Sequence, residues 1–197
     1  MKRSVDAVWT SVLGGTSSTS YQFTDLDFST GYDFRVTTVC SSEEESTIVS
    51  KYIPCPAITD LPLREDFETW TTSNIDSCWF KLSSQGASYP SISTQQGSKR
   101  VYLYSTTSTY TALILPLIAT PINELNISFQ VAKASTADQY LQIGVITDIA
   151  DISTLTPLAL VEPSGAYTWE YVDVNLDSYA GDGGFIAILS PDGIAGS

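Results

Sequence analysis

Between residues 125 and 131 the apolar side chains fall on every second position: Leu125, Ile127, Phe129 and Val131, with Asn126, Ser128 and Gln130 between them. Successive side chains of an extended chain point to opposite sides, so a repeat of two belongs to a β-strand with one buried and one wet face. The same alternation runs through Tyr32, Phe34 and Val36, through Val101 and Leu103, through Leu141, Ile143 and Val145, and through Val172, Val174 and Leu176. No stretch carries the 3.6-residue repeat of an amphipathic helix, and one helical turn near Asp148 to Thr154 is the only exception expected. Turn-forming clusters such as Gly14-Gly15-Thr16-Ser17 and Gly181-Asp182-Gly183-Gly184 punctuate the runs. Many short antiparallel strands spaced in this way imply an all-β sandwich or barrel.

A hydrophobic fraction of 43% beside a charged fraction of 16% describes a chain that packs a core. Its 197 residues make one large domain or two small ones. The net charge of −13 opposes nucleic acid and anionic lipid, both of which attract clustered Lys and Arg. No apolar run approaches the ~20 residues of a membrane helix, so neither nucleic acid nor membrane insertion is expected. The chain has no histidine, which removes Ser-His-Asp and Cys-His nucleophile systems and imidazole-bound zinc together. Only carboxylate chemistry remains, for instance Glu162 with Glu170 or Glu68 with Asp177, and nothing in their spacing demands it. The chain is therefore expected to be no enzyme.

Three cysteines, Cys40, Cys55 and Cys78, are too sparse for a zinc site. A Cys40–Cys55 disulfide is expected, closing a short loop in an oxidising compartment; buried free thiols are the alternative. The start Met1-Lys2-Arg3 is basic, but Asp6 and the polar run from Gly14 to Ser20 break any signal-peptide core. An export signal is expected to lie outside the chain.

Pro54, Pro56 and Pro62 interrupt any ladder, so a boundary falls here: a first unit over residues 1–57, a linker over 58–63 and a second unit over 64–197. In the first unit, Tyr21-Gln22-Phe23-Thr24-Asp25-Leu26 followed by Gly31-Tyr32-Asp33-Phe34-Arg35-Val36 resembles the second half of a fibronectin type III domain. The resemblance makes Leu26 the end of one strand and Tyr32 the start of the next, its ring filling the end of the core and its hydroxyl satisfying a backbone group. Val8-Trp9-Thr10 is expected as a further strand. Glu43-Glu44-Glu45 is read as an acidic turn before a closing strand from Thr47 to Ile53. A complete unit of this family needs roughly 90 to 100 residues, so this one is expected to be an incomplete, immunoglobulin-like sandwich and the chain a fragment.

The second unit opens with Arg64-Glu65-Asp66-Phe67-Glu68 and Cys78-Trp79. It continues through Leu115-Pro116, Pro121-Ile122-Asn123-Glu124-Leu125, Gly144-Val145-Ile146-Thr147-Asp148, and Trp169 to Leu176 with Tyr179 and Gly181. In this order the pieces resemble a MAM-like or cleaved-adhesin-like jelly roll, an antiparallel β-sandwich. The resemblance implies a non-catalytic extracellular or cell-surface module of a larger bacterial protein, one that binds glycan or a host or extracellular protein beside neighbouring domains. A carbohydrate-binding accessory module of a secreted hydrolase and a structural spacer are the alternatives. It also implies a closing strand after Phe185–Leu189 that this chain is expected to lack, leaving an inner sheet edge open.

Asp66 and Glu68, expected on one face of a first strand, are hard oxygen ligands suited to a structural calcium ion; solvated strand charges are the plainer reading. Tyr102 and Tyr104 share a strand face opposite Val101 and Leu103, with Tyr110 close behind. Such tyrosines stack on sugar rings or serve packing. Phe67, Trp79 and Trp169 are expected as core anchors, and Trp70, between Thr69 and Thr71, as exposed. Asn126-Ile127-Ser128 fits the glycosylation pattern but lies within a strand, and is assigned no role.

Overall fold

The alternating stretches form strands, and every strand ladder among the described residues is antiparallel. The protein is all-β, its described residues including two single turns of 3-10 helix at Ile122–Glu124 and Ile152–Thr154. The computed structural model describes residues 1–40, 43–86, 88–95, 97–135 and 139–191, and only the backbone of residues 39, 40 and 43–45. The chain divides into two compact units, Met1–Pro56 and Ala57–Ser197. The residues beyond Pro191, where a closing strand would begin, lie outside the described ones.

The first unit is a three-stranded sheet of β1 (Lys2–Arg3), β2 (Thr30–Cys40) and β3 (Glu43–Ile53), in that order. Tyr32, Phe34 and Val36 face the same side as their partners Lys51, Val49 and Thr47. Tyr32 is buried, and its hydroxyl accepts the Asp27 N–H at 3.1 Å, a backbone donor that would otherwise be stranded at the corner. Phe23 closes on Phe34 with ring centroids 4.6 Å apart. On the opposite face Asp33 accepts from Ser50 at 2.7 Å and from Ser4 at 3.1 Å, and meets Lys2 at 3.0 Å. These donors, Ser50 foremost, hold its carboxyl below the usual aspartate range.

Two expectations for this unit need correction. Glu43 to Glu45 belong to β3 itself, paired with Cys40, Val39 and Thr38, so the hairpin runs further than a strand from Thr47. Val8-Trp9-Thr10 forms no strand: the Trp9 ring lies under the Arg35 guanidinium, 4.5 Å from its centroid, and Thr10 exchanges two 2.8 Å bonds with Met1.

The expected Cys40–Cys55 disulfide is also overturned, because Cys55 and Cys78 are the disulfide-bonded cysteines. Cys40 ends β2 opposite Glu43, whereas Cys55 follows Ile53, which pairs with Thr30 at the other end of the hairpin. Ten residues of extended chain separate those ends by about 30 Å. A disulfide needs its Cα atoms within roughly 7 Å.

Among its described residues the second unit has nine strands: β4 (Phe80–Ser83), β5 (Ser91–Gln95), β6 (Ser98–Tyr102), β7 (Thr111–Ile114), β8 (Asn126–Val131), β9 (Leu141–Ile146), β10 (Leu155–Val161), β11 (Glu170–Asn175) and β12 (Phe185–Ser190). Five make one sheet in the order β10-β9-β12-β7-β4, while β11-β8 and β5-β6 are separate pairs. Leu113, Ile143, Val145, Val161 and Ile186 from the large sheet share one core with Ile127, Phe129, Val131, Val172 and Val174 from β8 and β11, and with Ile92 and Val101 from β5 and β6. Alternation sends the neighbours Ile114, Ile146 and Ala187 to the other face of the large sheet. There Phe80, Phe185, Ile149, Ile152 and Leu155 cover them. Ile152 belongs to the second 3-10 turn, where Asp151 Oδ1 accepts the Ser153 N–H at 2.9 Å.

Candidate functional site

The aromatic anchors are sorted differently from their sequence context. Trp70 is 1% exposed, packed edge-on between Phe67 and Trp79, which corrects its expected exposure. The segment before it is not a strand. Asp66 Oδ1 accepts the Glu68 N–H, Glu65 Oε1 accepts the Phe67 N–H, and Phe67 sits at φ 64°. These tight turns swing Trp70 inward. Trp169 is 45% exposed, not a core anchor. Val172, Val174 and Leu176 face the core, so parity puts Trp169 and Tyr171 on the outer face.

Asp66 and Glu68 are thus held by backbone bonds of their own neighbourhood, Glu68 Oε1 also accepting the Lys99 N–H at 2.9 Å. Among the described residues no three His, Cys, Asp or Glu gather into a group that could hold a metal ion. Glu162 and Glu170 border a shallow cavity of about 430 Å³. Both oxygens of Glu170 are taken by the backbone N–H and hydroxyl of Ser164.

Tyr102 and Tyr104 do lie on one face, with nearly parallel rings 6.1 Å apart. Tyr89 extends the group, its ring 5.4 Å from that of Tyr104. Tyr110 does not join it; its backbone is engaged by Ser84. Arg100, one alternation before Tyr102, donates from Nε to Ser93 and lays its guanidinium 5.8 Å from the Trp169 centroid. Tyr167 and Tyr171, two residues either side of Trp169, are 68% and 67% exposed. Burial, then the neighbouring phenols of Tyr104 and Tyr89, push the Tyr102 hydroxyl above the ordinary phenol range. It therefore stays a neutral hydrogen-bond donor at physiological pH. The tyrosine pair was legible as a period-two repeat, which Arg100 shares, whereas Tyr89 and Trp169 reach it only through contacts distant in sequence.

Below this aromatic face opens a cleft of about 1040 Å³ within the second unit. Its floor takes alternate residues, Leu113 with Leu115 and Ile186 with Ile188, as a sheet face does. Its walls take consecutive residues, 98–103 on one side and 124–134 on the other. Arg100, Tyr102, Tyr167 and Trp169 stand at its border.

No protein-family model, curated protein or solved structure matches the chain.

Proposed function

We propose that this chain is a non-catalytic, extracellular binding module of a larger bacterial surface or secreted protein, a fibronectin type III-like unit followed by an adhesin-like jelly roll, and that its ligand is a glycan. The observation that carries this reading is the outer aromatic group of Tyr89, Tyr102, Tyr104, Tyr167, Trp169 and Tyr171 with Arg100 among them. Tyr167, Trp169 and Tyr171 are exposed and the other three half-buried, and exposed rings cost free energy in water unless a ligand covers them. The flat apolar face of a pyranose matches a ring, while a guanidinium and neutral phenols bond its hydroxyls. That Cys55 and Cys78 are disulfide-bonded supports an oxidising compartment. A carbohydrate-binding accessory module of a hydrolase would use the same surface and differs only in the parent protein.

A glycan array probed with the purified chain tests this. A sugar bound by the native protein is expected to lose at least about tenfold in affinity on Tyr102→Ala and on Trp169→Ala, with unchanged circular dichroism. Silence across the array, or binding indifferent to both substitutions, would remove the glycan from the proposal.

A further inference from the structure

The chain carries 22 acidic residues against nine basic ones, so an arginine on its surface has carboxylates in plenty to pair with. Arg100 pairs with none of them. The ion pairs among the described residues are Lys2 with Asp33 and Arg3 with Asp27, both in the first unit. Arg100 lies instead among rings. Ile92 and Val101 face the core, so parity puts Ser91, Ser93, Arg100 and Tyr102 on the outer face of the β5-β6 pair. Ser93 stands opposite Arg100 and Ser91 opposite Tyr102. Both serines are too short to cover their partners, so β5 leaves the guanidinium and the phenol open on that side.

The guanidinium is held at two points. Its Nε donates to Ser93 Oγ at 3.0 Å, and its central carbon lies 5.8 Å from the Trp169 ring centroid, within cation–π range. The Nη atoms bond nothing among the described residues. What remains is the two-nitrogen end of a planar, permanently charged fork. A fork fixed before its ligand arrives loses little conformational freedom on binding. Its surroundings add no competing negative charge: burial and the phenols of Tyr104 and Tyr89 raise the Tyr102 hydroxyl, Arg100 opposes them, Tyr167 adds to them, and no carboxylate is among the groups that shift it.

A neutral sugar would use the rings and leave this charge without a counterpart. The two oxygens of a carboxylate match two guanidinium nitrogens in parallel hydrogen bonds, which are shorter and stronger than those between neutral groups. A pyranose that carries a carboxyl group offers both features: an apolar C–H face for the exposed rings of Trp169 and Tyr167, and an anion for Arg100. The net charge of −13 repels such a ligand from afar. Beyond about 8 Å that repulsion is largely screened at physiological ionic strength, whereas a pair in contact is not, so the local fork decides.

The geometry points to an acidic sugar as the ligand: the free end of Arg100, beside Trp169 and Tyr102, takes the carboxylate of a uronic acid residue while the exposed rings take its C–H face. This rests on the glycan reading and narrows it to carboxylated glycans.

The test is an array of matched oligosaccharides probed with the full chain. It holds galacturonic and glucuronic acid oligomers, each beside the same oligomer reduced at its carboxyl group to the neutral hexose, together with sulfated galactose oligomers. At least one acid oligomer is expected to bind, and about tenfold or more tighter than its reduced counterpart. Arg100→Gln, with unchanged circular dichroism, is expected to bring the two to the same affinity by weakening the acid one alone. An Arg100 that merely ties Ser93 to Trp169 would, on substitution, weaken both alike. The comparison of acid with reduced sugar is made on the native protein, so it decides even where the variant disturbs the fold. Reduced oligomers that bind as well as the acids, or an acid preference that survives Arg100→Gln, would overturn the inference and leave the glycan reading standing. Preference for the sulfated oligomers would overturn it in favour of a sulfate. Silence of the whole array would remove both readings together.

Discussion

Trp70 packs between Phe67 and Trp79 with ring centroids 4.9 and 5.2 Å away, and its indole N–H is buried with no hydrogen-bond partner among the described residues. Two opposing quantities meet there. The ring fills the centre of the core, so Trp70→Ala is expected to cost about 3–5 kcal/mol in urea unfolding followed by circular dichroism. An orphaned donor costs about 1–3 kcal/mol, so Trp70→Phe, which deletes it while keeping a ring, is expected to cost clearly less than the alanine. A larger loss for phenylalanine would mean that the N–H has a partner. Threonines on either side made Trp70 look exposed, because the side-chain-to-backbone turns that swing it inward involve Glu65 and Asp66, charges that also suit a metal site. Trp169 erred the other way, although the parity of Val172 and Val174 already assigned it to the wet face.

Elements were more legible than single residues, because period two survives without knowledge of partners: β2, β8, β9 and β11 all lie where alternation places strands. What alternation cannot tell is pairing, and so neither the separation of β5-β6 from β11-β8 nor which cysteines are disulfide-bonded was readable. Pairing leaves other marks, such as Gly144 in β9, which stands between Pro157 and Ala187 on the neighbouring strands. A Cβ there would lie 2.5 Å from the Thr156 carbonyl oxygen, a backbone atom that cannot swing aside. Gly144→Ala is expected to destabilise the second unit by about 1–3 kcal/mol, read as a lower urea midpoint with unchanged slope. An unchanged midpoint would show that β10 yields at its irregularity between Pro157 and Ala159.

On the scale of the chain, the proline-rich boundary and the all-β class follow from composition and punctuation, whereas ligand and partner depend on how surfaces converge. Cys55 and Cys78 are each disulfide-bonded, and a disulfide that closes a short loop is worth about 3 kcal/mol if its effect is chiefly on the unfolded chain. The double variant Cys55→Ser, Cys78→Ser is expected to lose that amount in urea unfolding, and reduction of the native protein to match it. The outer borders of the second unit carry a different kind of information. Edge strand β10 has Pro157 and a register shift, β4 turns Lys81 inward to the Thr72 carbonyl, β11 carries Glu170 and Asp173, and the outer backbone of β5 is bonded by Thr72. Each is a device that discourages another sheet from docking. A sheet guarded at each of these borders resists the edge-to-edge stacking that would otherwise turn a crowd of such modules into a fibre.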